Sequence, residues 1–306
     1  MKRLAALVLP LPVLGVLALL TADAFLPAKA SSPAHIMVIV EENAAYGSSD
    51  GSPFIIGSSK APYINSLASQ YVSATNWFAV QHTSRFAYRE LIAGAPGGHQ
   101  PIKGQTLVDE LAGKGISWKA YMESAPGATC SGDTSSSGNY YAGHNPFVMY
   151  SSILNSPSQC ANVVPYTQSG LSSDLNSSSP PDYVWITPNQ CDDMHNKCGG
   201  NPVSHGDAWL SDNLPIVLSS SWFTSGATVI LTWDESVTSD TSGGTFGTGG
   251  HIATLVISTN GKTGTQFTTS GDHYATLRGI EEAYGVNLLG NSSNASFGDL
   301  GPAFAP

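Results

Sequence analysis

The chain reads as an α/β domain built on a mostly parallel central sheet with helices on both faces. Three observations predict this. The apolar runs His35–Val40 and Ala227–Trp233 are continuous rather than alternating, as in strands covered on both sides. Runs of this kind alternate with stretches of helical spacing along the chain. Both runs also stop on oxygen-bearing side chains, Glu41-Glu42-Asn43 and Asp234-Glu235, and ligands of open parallel sheets gather outside the carboxyl ends of the strands.

Taken in order, the elements support that class. Lys2-Arg3, an apolar stretch from Leu4 to Leu20 and the small-x-small triplet Ala28-Lys29-Ala30 form an export-signal pattern. Residues 1–30 are therefore expected to be a signal peptide and residues 31–306 a single secreted, extracellular domain. No later segment is long and apolar enough to span a bilayer. Residues 62–72 place Ile64, Leu67 and Ala68 on one helical face behind Pro62. A strand is predicted over Asn76–Val80, followed by a run of helical spacing through residues 81–94. Ser117–Met122, Asp182–Thr187 and Ile252–Ser258 read as further strands. Residues 124–180, rich in Gly, Ser and Pro, read as a loop-rich insertion near the site. Residues 207–218 and 274–284 have helical spacing, and Gly285 closes the second helix.

The chemistry concentrates where strands end. Glu, Asn and Asp oxygens are hard donors suited to a divalent cation. Acidic residues after a strand also start solvated loops, so either pair alone supports both readings. The Thr83-Ser84 hydroxyls open a helical run, where free backbone N–H groups favour an oxyanion and a metal can activate a serine. A serine there is equally an ordinary helix cap. Pro188–His195, after the Asp182–Thr187 strand, adds a third strand end with Asn, Asp and His. His144 and His273 lie at loop or helix-start positions, and imidazoles brought to one edge can bind phosphate or protonate a leaving alkoxide.

Composition narrows the partners. The formal charge is -10, becoming -12 (9 basic against 21 acidic residues) once residues 1–30 are removed, which argues against a nucleic-acid partner. An anionic substrate must then be drawn in by a local feature such as a metal or placed histidines. Four cysteines in the exported portion fit two disulfides. Cys191 and Cys198 are close enough to bridge a loop, which leaves Cys130 with Cys160. Zinc is the rival use, but the spacings match no common finger.

Together the motifs Val38-Ile-Val-Glu-Glu-Asn43, Ala61-Pro-Tyr-Ile-Asn-Ser-Leu67, Gln81-His-Thr-Ser84, Tyr141-x-x-His-x-Pro146, Asp192-Asp-Met-His195, Gly206-Asp-Ala-Trp-Leu210, Thr232-Trp-Asp-Glu235 and His273-Tyr274 resemble, in this order, a known family. It is the phosphoesterase family of bacterial acid phosphatases and phospholipases C, within the alkaline-phosphatase-like superfamily. The resemblance implies an alkaline-phosphatase-like fold and a metal-dependent phosphomonoesterase of acid-phosphatase type. Glu42, Asn43, Ser84, Asp234 and Glu235 would bind a divalent metal ion of unspecified identity. Ser84 would be the nucleophile, forming a phosphoserine, with His144, His195 and His273 around the phosphoryl oxygens and one of them the general acid. Asn43, Arg85 and Asp193 would contribute to substrate binding, and the substrate would be a phosphorylated small molecule or lipid headgroup. Where the family reads His-Pro-Ser-x-Pro-Asn-Tyr, this chain has His82-Thr-Ser-Arg-Phe-Ala-Tyr88, so Arg85 or Arg89 is expected to supply the donor lost with the Asn. Two alternatives stay open: a phospholipase C-like phosphodiesterase, which would need a second lipid- or alcohol-binding subsite, and a catalytically silent phosphate- or metabolite-binding exported protein, which the Phe86-Ala87 departure favours.

Overall fold

The computed structural model describes residues 35–48, 52–127, 130, 136–259 and 264–304, with Met1. The expected signal peptide and its cleavage site lie outside the described residues.

Strands β1 (Ile36–Glu41), β2 (Val72–Phe78), β3 (Trp118–Met122), β4 (Val163–Pro165), β5 (Tyr183–Thr187), β6 (Thr228–Trp233), β7 (His251–Ser258), β8 (Gln266–Phe267) and β9 (Gly271–Asp272) form one sheet. Their order is β4-β3-β5-β1-β6-β7-β2-β8, with β9 beside β2. Every pairing is parallel except the two made by β7. The carboxyl ends of the other strands therefore emerge on one edge, the edge where β7 begins. Both β1 and β6 are buried at every residue, which accounts for their unbroken Val, Ile and Leu content: neither face meets water.

Helices pack as two groups around the sheet. Ser84–Ala93, Leu107–Gly113 and His273–Tyr284 contact one another, while Pro62–Gln70, Gln168–Leu175, Pro202–Leu218 and Ser221–Thr224 form a second connected set. The Pro202–Leu218 helix starts five residues before the apolar spacing begins. Its start is set by chemistry rather than by pattern: Asn201 accepts a hydrogen bond from the Ser204 N–H at 3.1 Å, and Pro202 takes the first helical position. Gly285 does close the His273–Tyr284 helix, in the left-handed conformation at φ 63°.

Two expectations about elements are corrected. The helix read over 62–72 ends at Gln70, and β2 starts at Val72 rather than Asn76. Val72 and Ala74 are fully buried opposite Val256 and Thr254 of β7, so tertiary pairing overrides a local helical spacing. The 124–180 segment, expected to be loop-rich, also supplies edge strand β4 and the Gln168–Leu175 helix. Both expected disulfides are present, Cys130–Cys160 and Cys191–Cys198.

Candidate active site

Three strand ends are tied together by backbone before any side chain is considered. β1 and β6 run in parallel register with Glu41 beside Trp233, so Glu42 and Asp234 leave neighbouring strands at the same level. The Asp234 N–H donates to the Glu41 carbonyl at 2.9 Å, and the Glu42 N–H donates to the Asp193 carbonyl at 2.7 Å. Glu42, Asp234 and the loop after β5 are thus held within a few ångströms of one another. Asn43 turns away from β1 at φ 33°, a conformation that Asn tolerates better than most residues. Its N–H donates to Asp234 Oδ1 at 3.3 Å.

Ser84 comes to this cluster from the other side of the sheet. Ala79 and Val80 extend β2 by bonding to Thr248–Gly250. His82 then anchors the turn, with Nδ1 2.7 Å from Glu235 Oε2 and Nε2 2.7 Å from the Asp240 carbonyl. Ser84 is the first residue of the Ser84–Ala93 helix, and Thr83 precedes it without a side-chain cap bond. The Ser84 hydroxyl lies 3.2 Å from Glu42 Oε2 and 3.1 Å from Glu235 Oε1. Its role is therefore not helix capping. The Thr83 hydroxyl donates to the His82 carbonyl at 2.6 Å, which distinguishes the two neighbouring hydroxyls.

His144 is wedged between two acids, with Nε2 3.1 Å from Glu42 Oε1 and Nδ1 3.2 Å from Asp193 Oδ2. It stacks on the Tyr88 ring at 5.1 Å. Glu42, His144 and Asp193 are all buried, and each offers a ligand atom within 4.8 Å of the others. Burial raises Glu42 well above the usual carboxylate range, with Asp234 and Asp193 adding to the effect. Burial likewise raises Asp234, reinforced by Glu235, and pushes Asp193 up to about 8. It drives His144 down to about 3, helped by His195. Buried carboxylates packed this closely lack a counter-charge, and bringing each to its charged form requires one.

The donor set fits a hard cation. Asn43 Oδ1 and Asp234 Oδ2 are buried and have no hydrogen-bond partner among the described residues, and Glu42 Oε1 has only its 3.1 Å contact with His144 Nε2. Buried polar atoms are normally satisfied, and two orphaned oxygens beside a hydroxyl shared by two carboxylates suit a divalent ion with oxygen ligands. Glu42, His144 and Asp193 bring ligand atoms within 4.8 Å of one another, and Asn43, Ser84, Asp234 and Glu235 adjoin them as further donors that could hold such an ion.

The cleft above this cluster has a volume of about 350 Å³, and Ser84, Arg85, His144, His195, Gln190 and Glu235 are among its lining residues. His195 is exposed on its rim, with Nδ1 3.0 Å from Asn196 Oδ1. The Asp193 Oδ1 accepts from the His195 N–H at 2.8 Å, so Asp193 orders the turn that carries His195. His273 is a correction. It is fully buried, does not line the cleft, and has Nε2 3.0 Å from the Trp233 carbonyl, while burial lowers it to about 4. Its Nε2 braces the end of β6, and its Nδ1 is buried without a partner among the described residues. Arg89 is corrected too: it lies one turn beyond the cleft, and only Arg85 lines it. Ala87 is fully buried and reaches no cleft atom.

Sequence reasoning assigned no role to His82 or Glu41. His82 acts through partners 153 and 158 residues away, which no local pattern announces. Glu41 is fully buried with both carboxyl oxygens unpartnered among the described residues. Its place in an acidic doublet after an apolar strand was the available signal.

A model of the Phosphoesterase family matches residues 57–287. A phosphatidylinositol-3-phosphatase of Mycobacterium tuberculosis is 29% identical over 271 residues, covering 86% of this chain and 80% of that protein. A probable acid phosphatase of Kluyveromyces lactis is 29% identical over 239 residues, 73% of this chain and 54% of that one. The matched region thus spans about half the length of the yeast relative. Among solved structures, a protein of the alkaline phosphatase superfamily from Vibrio parahaemolyticus superposes with a TM-score of 0.57 at 13% identity, covering 84% of this chain and 68% of that one. That likeness concerns the fold.

Proposed function

The chain belongs to the Phosphoesterase family, and from that premise we propose that it is a secreted, metal-dependent phosphomonoesterase of acid-phosphatase type with Ser84 as nucleophile. The observation that carries the reading is the Ser84 hydroxyl at the start of a helix, within 3.2 Å of both Glu42 and Glu235. A divalent cation bound by Glu42, Asn43, Asp234, Glu235 and Ser84 would lower the hydroxyl pKa and offset charge on the transferred phosphoryl group.

The remaining work falls to side chains. Ser84 gives its hydroxyl proton to an adjoining carboxylate, Glu42 or Glu235, as Oγ attacks phosphorus; the bond to the ester oxygen breaks, and His195 on the cleft rim donates the proton that the leaving alkoxide takes up. Water then hydrolyses the phosphoserine. His82 holds Glu235 through a 2.7 Å contact, and His144 braces Glu42 against Asp193. Arg85 lies beside the nucleophile in the cleft wall, where a guanidinium suits a phosphoryl oxygen. The acid phosphatases and the phosphatidylinositol-3-phosphatase among its relatives support a monoester of a small molecule or a lipid headgroup as substrate. Export is supported by the leader pattern and by two disulfides, which persist in oxidising compartments.

The test offers purified protein p-nitrophenyl phosphate and bis(p-nitrophenyl) phosphate, with and without chelator. Turnover of the monoester that chelator abolishes is the expected result. Preference for the bis ester makes the protein a phosphodiesterase, and no turnover of either by folded, metal-loaded protein overturns the enzymatic reading.

A further inference from the structure

A second cavity adjoins the active-site cleft. It measures about 450 Å³ and is lined by Arg85, Phe86, Arg89, Gly97, His99 and two neighbouring loop residues. Arg85 belongs to both walls. Arg85 and Arg89 are one helical turn apart on the Ser84–Ala93 helix, a rise of about 6 Å along the axis. Their guanidinium carbons lie 5.8 and 5.2 Å from the Phe86 ring centre, so the aromatic side chain packs against both cations.

Arg89 is the unusual member. It is 2% exposed, yet among the described residues it forms no ion pair. Its Nε–H donates to Met149 Sδ at 3.0 Å and its Nη1 group donates to the Pro96 carbonyl at 3.1 Å. Nη2 donates to no described residue. Buried charges are normally paired because desolvating an isolated ion is expensive. Here a buried cation with no carboxylate partner among the described residues lines a cavity, beside Arg85, which forms no ion pair among them either, and His99, in a chain whose formal charge is -10.

We propose that this cavity receives a second anionic group carried on the alcohol side of the scissile phosphoester, so that the favoured substrates bear two phosphate groups on one small scaffold. The assignment rests on the phosphomonoesterase reading of Ser84. With the scissile phosphate over Ser84, Arg85 lies between the two anions and Arg89 holds the distal one. Phe86, which departs from the family pattern, sets the spacing of the two guanidiniums.

The experiment compares three 3-phosphates that differ at the 1-position of inositol: inositol 3-phosphate, inositol 1,3-bisphosphate and short-chain phosphatidylinositol 3-phosphate. The expected result is a kcat/KM at least tenfold higher for both doubly anionic compounds, expressed mainly in KM. Arg89→Met should reduce that preference by about tenfold to a hundredfold, the range for a charge-assisted contact, and Arg89→Lys should restore part of it. Calorimetry with inositol 1,3-bisphosphate on the Ser84→Ala protein, with and without Arg89→Met, reads the same contact without turnover. Equal kcat/KM for all three compounds overturns the proposal. So does a preference confined to the lipid and unchanged in Arg89→Met, which would locate the gain in the acyl chains. Turnover of none of the three overturns the phosphomonoesterase reading instead, and the calorimetric arm still decides the cavity. Thermal melting of Arg89→Met and Arg89→Lys separates lost binding from lost folding.

Discussion

The hydroxyl of Ser84 lies 3.1 Å from Oε1 of Glu235, a residue 151 positions further along the chain. Ser84 therefore meets a carboxylate brought by another strand, while the Thr83 hydroxyl is spent on the carbonyl of His82. The two neighbours should respond differently to truncation. Ser84→Ala is expected to lower kcat on p-nitrophenyl phosphate by at least about three orders of magnitude, as removal of a nucleophile does. Thr83→Ala should stay within about threefold, because it loses one local hydrogen bond. Steady-state kinetics checks both, and full activity in Ser84→Ala would remove it from the nucleophile's place.

Asp234 tests the cation. One of its oxygens accepts the N–H groups of Asn43 and Glu235, and the other is buried and unpartnered among the described residues. A ligand that binds only the folded state raises its stability by mass action, by about 2.7 kcal/mol at a hundred times the dissociation constant. Titrating Mg²⁺, Mn²⁺, Ca²⁺ and Zn²⁺ into chelator-treated protein should raise Tm by several degrees with at least one of them. Asp234→Asn should blunt that response. A wild-type Tm indifferent to all four ions would exclude a cation held by these residues.

How much of this was legible beforehand depended on how far each signal reaches along the chain. β1 and β6 are unbroken apolar runs ending in acids, so strand, burial and a cluster of candidate oxygen donors were visible together in Val38–Asn43 and Thr232–Glu235. Strands β4, β8 and β9 have three or two residues, too few to show any period. His273 looked like a site histidine because a helix-start position reads the same whether the ring faces a cleft or a strand end. Its hydrogen bond to Trp233 spans 40 residues. The cavity beside Arg89 was invisible for the same reason: an arginine on a helix reads as solvated until the structure shows it buried and unpaired.

Gly206 tests how the Asp193–His195 turn is held. Met194 adopts φ 76°, a conformation that a side chain of its size rarely takes. A Cβ on Gly206 would stand 2.4 Å from Met194 Cγ and 3.0 Å from the Asp192 carbonyl. Overpacking of this kind costs about 1–3 kcal/mol, and replacing a helical glycine offsets about 1. Gly206→Ala is therefore expected to shift Tm by only a few degrees while lowering kcat/KM by about tenfold, since Asp193 and His195 flank the displaced residue. Adding Met194→Ala should recover most of the loss. An active Gly206→Ala enzyme would show that the turn does not depend on this contact.

Glu281 predicts a pH dependence remote from the candidate cation donors. Its Oε2 lies 2.5 Å from the Ser292 hydroxyl, which is also 2.7 Å from the Leu289 carbonyl. One hydroxyl proton cannot serve both acceptors. If Glu281 keeps its own proton, it donates to Ser292 and Ser292 donates to Leu289, so every group is satisfied. Burial accordingly pushes Glu281 up to about 8. A carboxyl with a raised folded-state pKa holds a proton that the unfolded chain has already released, so its contribution is complete below the unfolded value and is lost as pH rises. The window runs from ordinary glutamate titration up to about 8, and each pH unit crossed within it removes up to about 1.4 kcal/mol. Burial raises Glu90 to about 7 and Asp272 to about 8, which adds a slope of the same sign. Thermal melts from pH 5 to 9 should therefore show Tm falling toward the alkaline end. Glu281→Gln, whose amide mimics the protonated acid, should melt at a similar temperature at pH 5 and fall less steeply above it. A mutant curve parallel to that of the wild type would mean that Glu281 ionises freely in the folded protein.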